Sequence, residues 1–161
     1  MGAEDEREAW AEVRAFRAST DAASAANLFK ETVEATAWSE GDLRRMGELT
    51  GAAAYVSARA DRITGIIIGR QLRDEGEILN LAVRKEERRR RAGAMLVKWM
   101  LERFQKEGVR RVFLEVRESN QGAIAFYEWL GFRTTGRRKD YYQEPKEAAL
   151  VMERPLGNST E

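Results

Sequence analysis

Two groups of residues in this chain could do chemistry: a carboxylate set in an apolar strand, and a run of cations at the start of a helix. Glu115 lies in "VFLEV", where Val112, Leu114 and Val116 take one side of an extended segment and Phe113, Glu115 and Arg117 the other. A carboxylate there is ordinary if that side is wet. If it is desolvated, burial moves a carboxyl group toward the range in which a base works at neutral pH. Arg88, Arg89, Arg90 and Arg91 run directly into Ala92, Gly93 and Ala94. The first turn of a helix carries unpaired N–H groups and about half a positive charge, so each exposed cation there costs about 0.3–1 kcal/mol. A solvated basic patch leaves that placement unexplained, whereas a bound anion offsets the dipole and accepts guanidinium hydrogen bonds. The apolar stretch "ILNLAV" leads through a short turn into this helix, and such strand-to-helix turns hold phosphates on backbone N–H groups. Small residues at 92–94 let a ligand approach the backbone closely.

Tyr127, on the helix after the Glu115 strand, is either a packed ring with a partnered hydroxyl or a proton donor. Asn120 reads first as a helix cap. Tyr141 and Tyr142 either line a ligand mouth or pair across the last two strands, and Trp38, Trp99 and Trp129 read as core or cover.

Absences narrow the chemistry. The chain contains no Cys and no His. Disulfides, a thiolate nucleophile, a Ser-His-Asp triad and the usual zinc sites are therefore out, and no metal is expected. Proton transfers fall to Glu, Asp, Tyr, Lys or water. A net charge of +1 does not steer the whole chain to nucleic acid, so no nucleic-acid partner is expected. No 18-residue apolar run offers a membrane span, "MGAEDEREAW" has no apolar signal core, and Glu6 stands where myristoylation wants Ser or Thr. These point to a cytoplasmic protein.

The elements that must position these residues follow from periodicity. A strand near 10–18 precedes a helix capped by Thr20 or Asp21, with Leu28, Phe29 and Val33 at helical spacing. Ser39, behind Trp38, caps a short helix. Three strands follow, with corners expected at Asp61-Arg62 and at Asp74-Glu75-Gly76. The arginine run opens a helix with an apolar stripe of Val97, Met100, Leu101 and Phe104, closed by Gly108. The strand "RRVFLEV", a helix ending at Gly131 and a closing pair of strands complete the chain. The order is β-α-α-β-β-β-α-β-α-β-β, an α+β (α/β) domain around one mixed sheet. Residues 1–9 read as a flexible acidic N-terminus, 10–156 as a single domain and 157–161 as a flexible tail.

The stretches "EILNLAV", "RRRRAGAML", "GVRRVFLEVRESNQGAIAFYEWLGF" and "RRKDYY" together resemble the GNAT superfamily of acetyl-CoA-dependent N-acyltransferases. More narrowly, they are similar to the bacterial branch that acetylates the N-terminal alanine of a ribosomal protein, small-subunit protein eighteen. The resemblance covers residues 77–142 almost without a gap, with a fainter echo in "AWSEGDL". It implies a mixed, mostly antiparallel sheet flanked by helices, acetyl-CoA as the acetyl donor, and a protein N-terminus as acceptor. It implies that the backbone of Leu81, Ala82 and Val83 pairs with the pantetheine arm. Arg88, Arg89, Arg90, Arg91, Ala92, Gly93 and Ala94 would cradle the pyrophosphate, and Asn120 would hydrogen-bond the cofactor near its pantetheine. Glu115 matches the family's general base and Tyr127 its general acid. Other acceptors are the alternatives: different protein N-termini, lysines or small amines. So is a non-catalytic module that binds acyl-CoA or RNA. One position departs from the family's phosphate loop, Gln/Arg-x-x-Gly-x-Gly/Ala: Arg91 replaces the first glycine. If that position needs a positive φ, the replacement costs about 1–2 kcal/mol.

Overall fold

The computed structural model describes residues 11–32, 37–88 and 91–157. The expectations for residues 1–9, Val33, Arg89, Arg90 and residues 158–161 lie outside the described residues. Strands β1 (Glu12–Ala15), β2 (Ala52–Arg59), β3 (Arg62–Leu72), β4 (Glu75–Val83), β5 (Arg111–Arg117), β6 (Arg133–Gln143) and β7 (Lys146–Pro155) alternate with four helices. These are α1 (Ala18–Glu31), α2 (Glu40–Arg44), α3 (Ala92–Lys106) and α4 (Gln121–Trp129), and the element order is the one periodicity predicts. Among the described residues the strands form one sheet in the order β1-β2-β3-β4-β5-β7-β6. Every neighbouring pair is antiparallel except β4 with β5.

The isoleucines of β3 do not alternate with polar residues because both faces of that strand are covered. Ile66 and Ile68 join a core with Leu28 and Phe29 of α1 and Leu43 of α2, while Ile67 joins Leu96, Met100 and Phe104 of α3 on the other face. The α3 stripe of Val97, Met100, Leu101 and Phe104 is buried as its spacing predicts, each side chain contributing about 1.5–3 kcal/mol.

Two local expectations are corrected. Gly76 is not a corner residue: it lies inside β4, where a Cβ would come within 2.8 Å of the Phe104 ring, so the glycine lets α3 pack down on the sheet. The turn is Arg73-Asp74, with Arg73 at φ 59°. Neither Thr20 nor Asp21 caps α1, which begins at Ala18 behind Arg17. Asp21 reaches back from within the first turn instead, accepting from the Arg17 N–H at 2.8 Å and from two Arg14 guanidinium nitrogens at 2.7 and 2.9 Å. Ser39 does cap α2, in a capping box with Asp42.

The feature that makes a site is where β4 and β5 part. Their parallel pairing covers only Glu75–Ile78 against Arg111–Leu114. Leu79 is then an extra residue in β4, since Ile68 pairs with Asn80 and Gly69 with Ile78. Such a bulge bends its strand. β5 keeps its other edge paired with β7 as far as Arg117 opposite Ala149, so a cleft opens between residues 79–83 and 115–117.

Candidate active site

The cleft has a volume of about 690 Å³ and brings together β4, β5, the starts of α3 and α4, and the end of β6. At its centre stands Glu115, whose side chain is 10% exposed. One oxygen, Oε1, lies 3.4 Å from the Arg138 guanidinium, itself 57% exposed; the other, Oε2, is buried with no hydrogen-bond partner among the described residues. The Glu115 carboxylate beside the Tyr141 hydroxyl, with burial, pushes that phenol up to about 12. Burial raises the neighbouring Tyr142 too, helped by the Glu115 charge, and the Arg117 guanidinium lies 4.1 Å from the Tyr142 ring centre. Both tyrosines line the mouth, and Tyr142 also pairs across the last two strands opposite Glu147, so the two readings are not exclusive. A second carboxylate, Glu77 of β4, enters the same cleft and is raised by burial and by the Glu115 charge, against Arg138 and Arg70.

Tyr127 is buried on α4 with its ring edge-on to Phe126 and Phe132, and it lines the cleft from the helix side. Burial pushes its hydroxyl well above the ordinary phenol range. It therefore stays protonated at physiological pH, as a proton donor must. Asn120 is the cap that its sequence suggests, accepting from the Ala123 N–H at 3.1 Å, and it also faces the cleft.

At the other end lie Arg88, Arg91, Gly93 and Ala94. The turn into α3 is tied down twice: Arg88 Nε donates to the Val83 carbonyl at 3.3 Å, and buried Glu87 holds Arg59 through both oxygens at 3.1 and 2.7 Å. Arg91 is the N-cap of α3 at φ 63° and ψ 11°, a left-handed conformation. The position does require a positive φ, and arginine occupies it. A Cβ on Gly93 would sit 3.3 Å from the Phe126 ring, so the helix start and α4 meet closely beside the cleft.

The candidate cofactor residues divide. Leu81, Val83, Arg88, Arg91, Gly93, Ala94 and Asn120 line the cleft, whereas Ala82 and Ala92 do not. The Ala82 side chain belongs to the core with α1. The Arg84 N–H bonds Thr64 on β3, so by strand alternation Ala82 points its backbone groups the same way, leaving Leu81 and Val83 to face the open edge. Ala92 is packed in the core under α3. The Leu81 N–H on the open edge is held at 3.0 Å by its neighbour's side chain, Asn80 Oδ1.

Residue reasoning missed three cleft features. Glu77 could be found only from its register against β5. Arg138 reaches Glu115 from β6, which no local pattern reveals. Trp129, read as core or cover, is 71% exposed at the cleft rim and is neither.

The cleft thus combines an open strand edge, small residues and guanidinium groups at the start of α3, and an orphaned carboxylate oxygen. Comparison with known proteins bears on what such a cleft serves. The chain is 37% identical over 98 residues, 60% of its length, to the ribosomal protein bS18-alanine N-acetyltransferase of Salmonella typhimurium. That match spans 66% of the relative's length, just under two thirds. Its fold superimposes on the crystal structure of the Escherichia coli ribosomal-protein-S18-alanine N-acetyltransferase with a TM-score of 0.80 at 26% identity, covering 94% of this chain and 98% of that one. A Bacillus subtilis acetyltransferase solved in complex with CoA shares the fold at a TM-score of 0.71 and 16% identity, covering 91% of this chain and 99% of that one. Residues 19–132, which carry Glu77, Glu115, Asn120, Tyr127 and the turn into α3, match the Acetyltransferase (GNAT) family, and to that family the chain belongs.

Proposed function

We propose that this protein transfers acetyl from acetyl-CoA directly to the N-terminal α-amine of a protein, in the cytoplasm, with the alanine N-terminus of ribosomal protein bS18 as acceptor. The observation that carries the reading is Glu115: a nearly buried carboxylate with one oxygen unpartnered, in a cleft that a tyrosine enters from the opposite side. The acceptor is supported by the bS18-alanine N-acetyltransferases to which the chain is similar.

An α-amino group has a pKa near 8, so much of it is protonated at neutral pH and must lose a proton before it can attack. In a chain without histidine, Glu115 is the base placed to take that proton. Acetyl-CoA supplies the thioester carbonyl that the freed amine attacks. The Leu81 and Val83 amides on the open edge of β4 would hold the pantetheine arm and polarise that carbonyl, which requires Asn80 Oδ1 to release the Leu81 N–H. Tyr127, kept protonated by burial, would donate to the departing sulfur. Arg88 and Arg91 would hold the phosphates with the first amides of α3. With no cysteine in the chain, the acetyl group passes straight from sulfur to nitrogen without a thioester on the protein. No metal enters this scheme.

Incubation of the protein with acetyl-CoA and a bS18 N-terminal peptide should add one acetyl group by mass spectrometry. Fragmentation should place it on the α-amine, and an N-terminally blocked peptide carrying lysines should remain unmodified. Acetyl on the lysines, or on neither peptide, contradicts the reading.

A further inference from the structure

Glu77 lines the cleft, and the scheme above leaves it without a task. It sits opposite Phe113 in the parallel β4–β5 register. Glu115 lies two residues farther along β5 and so on the same face, a diagonal neighbour across the seam just where the strands part. Both side chains line the cleft. Among the described residues the Glu77 carboxylate takes part in no hydrogen bond or ion pair, and Glu115 Oε2 is buried and unpartnered. The cations facing the pair have other claims on them or reach one acid only: Arg138 of β6 is largely exposed and touches one Glu115 oxygen at 3.4 Å, Arg70 of β3 holds the Thr50 carbonyl, and Arg117 of β5 pairs with Glu147 at 3.3 Å. Two carboxylates held together at low exposure favour a third party that is positively charged and can donate several hydrogen bonds.

We propose that Glu77 and Glu115 form a binding site for the ammonium form of the acceptor N-terminus, Glu77 holding the cation while Glu115 receives the proton. This rests on the transfer reading above. The balance is simple: the ammonium docks with three N–H donors, one N–H proton passes to Glu115, and Glu77 stays ionised beside the neutral amine until attack. The direction of the Glu77 shift agrees with two negative charges sharing one pocket: burial raises it first and the Glu115 charge second, with Arg138 and Arg70 opposing.

The test compares two synthetic hexapeptides that differ only at the first residue, one beginning with free alanine and one with propionyl, which is alanine without its amine. Binding of each to the protein in the presence of CoA is measured by calorimetry. The free-amine peptide should bind about 10- to 100-fold more tightly, the size of a hydrogen bond to a charged group. Glu77→Gln should lose most of that preference while binding the propionyl peptide and CoA as before, and unchanged CoA affinity certifies its fold. Glu77→Asp, which keeps the charge, should retain most of it. In the unaltered protein the preference should begin to fade on acidification above the ordinary Glu value, because burial and the Glu115 charge raise the Glu77 carboxyl. An undiminished preference in Glu77→Gln overturns the proposal, as does a natural protein that does not distinguish the peptides. If the preference is present and no acetyl is transferred, the ammonium site stands and the transfer reading fails.

Discussion

Two kinds of buried carboxylate occur in this molecule. Asp21, its side chain 5% exposed, is held by two Arg14 nitrogens and a backbone N–H. Glu87 is held through both oxygens by Arg59. In each, every charge-bearing atom has a partner on a rigid element, and the pair pins one segment to another: β1 to α1, and the turn before α3 to β2. Glu115 is buried to a similar degree, yet it has one exposed guanidinium at the edge of hydrogen-bonding range and an oxygen with nothing on it. A buried carboxylate normally costs stability unless its lone pairs are met. The difference separates the two acids that pin segments together from Glu115, the one to which the proposed function gives a ligand.

The largest expected effect from breaking this contrast is on turnover. Glu115→Gln should slow acetyl transfer by about 10²–10⁴-fold at saturating acceptor, with acetyl-CoA affinity and melting temperature nearly unchanged, as read by steady-state kinetics and calorimetry. An unaffected rate removes Glu115 from the mechanism. Tyr127→Phe should cost about 10²-fold in the same assay, at the lower end because the ring and its packing remain. At Asp21 the sign reverses. Asp21→Asn should leave turnover alone and cost about 2 kcal/mol of stability by denaturant melts. Burial pushes the Asp21 carboxyl up, but the Arg14 guanidinium and the Arg17 N–H outweigh it and hold the group below its ordinary value. The contribution is therefore complete above about pH 4 and is lost as pH falls through the folded-state value, an acid dependence that Asp21→Asn should abolish. The smallest effect belongs to Arg91. Its left-handed backbone costs about 1–2 kcal/mol and glycine's extra freedom returns about 0.5–1, so Arg91→Gly should stabilise the fold by about 0.5–1 kcal/mol, roughly 1–4 °C. Arg91→Ala should gain nothing.

What the sequence showed and what it hid divide along the same physical line. Helix and strand order, the Ser39 and Asn120 caps, the Gly108 and Gly131 stops and the α3 stripe all depend on neighbours within a turn or two, and these were legible. The strained position at Arg91 was legible too, as a glycine site filled by arginine. The bulge at Leu79, the insertion of β7 between β5 and β6, and the meeting of Glu77, Glu115, Arg138 and Tyr141 depend on register between strands distant in sequence. No local periodicity encodes that register. The first-turn acid of α1 misled because Asp21 satisfies the helix start from inside it, paired with an arginine on β1.

The central claim is that the cleft between the parted strands holds acetyl-CoA despite Arg91. A thermal melt with and without acetyl-CoA, with ATP as a phosphate control, tests it directly. At about 100 times Kd the ligand should stabilise the fold by about 2.7 kcal/mol, roughly 5–10 °C for a chain of this size, and ATP should do little. No shift at millimolar acetyl-CoA, or an equal shift with ATP, would contradict the account and leave a family fold without the family's donor site.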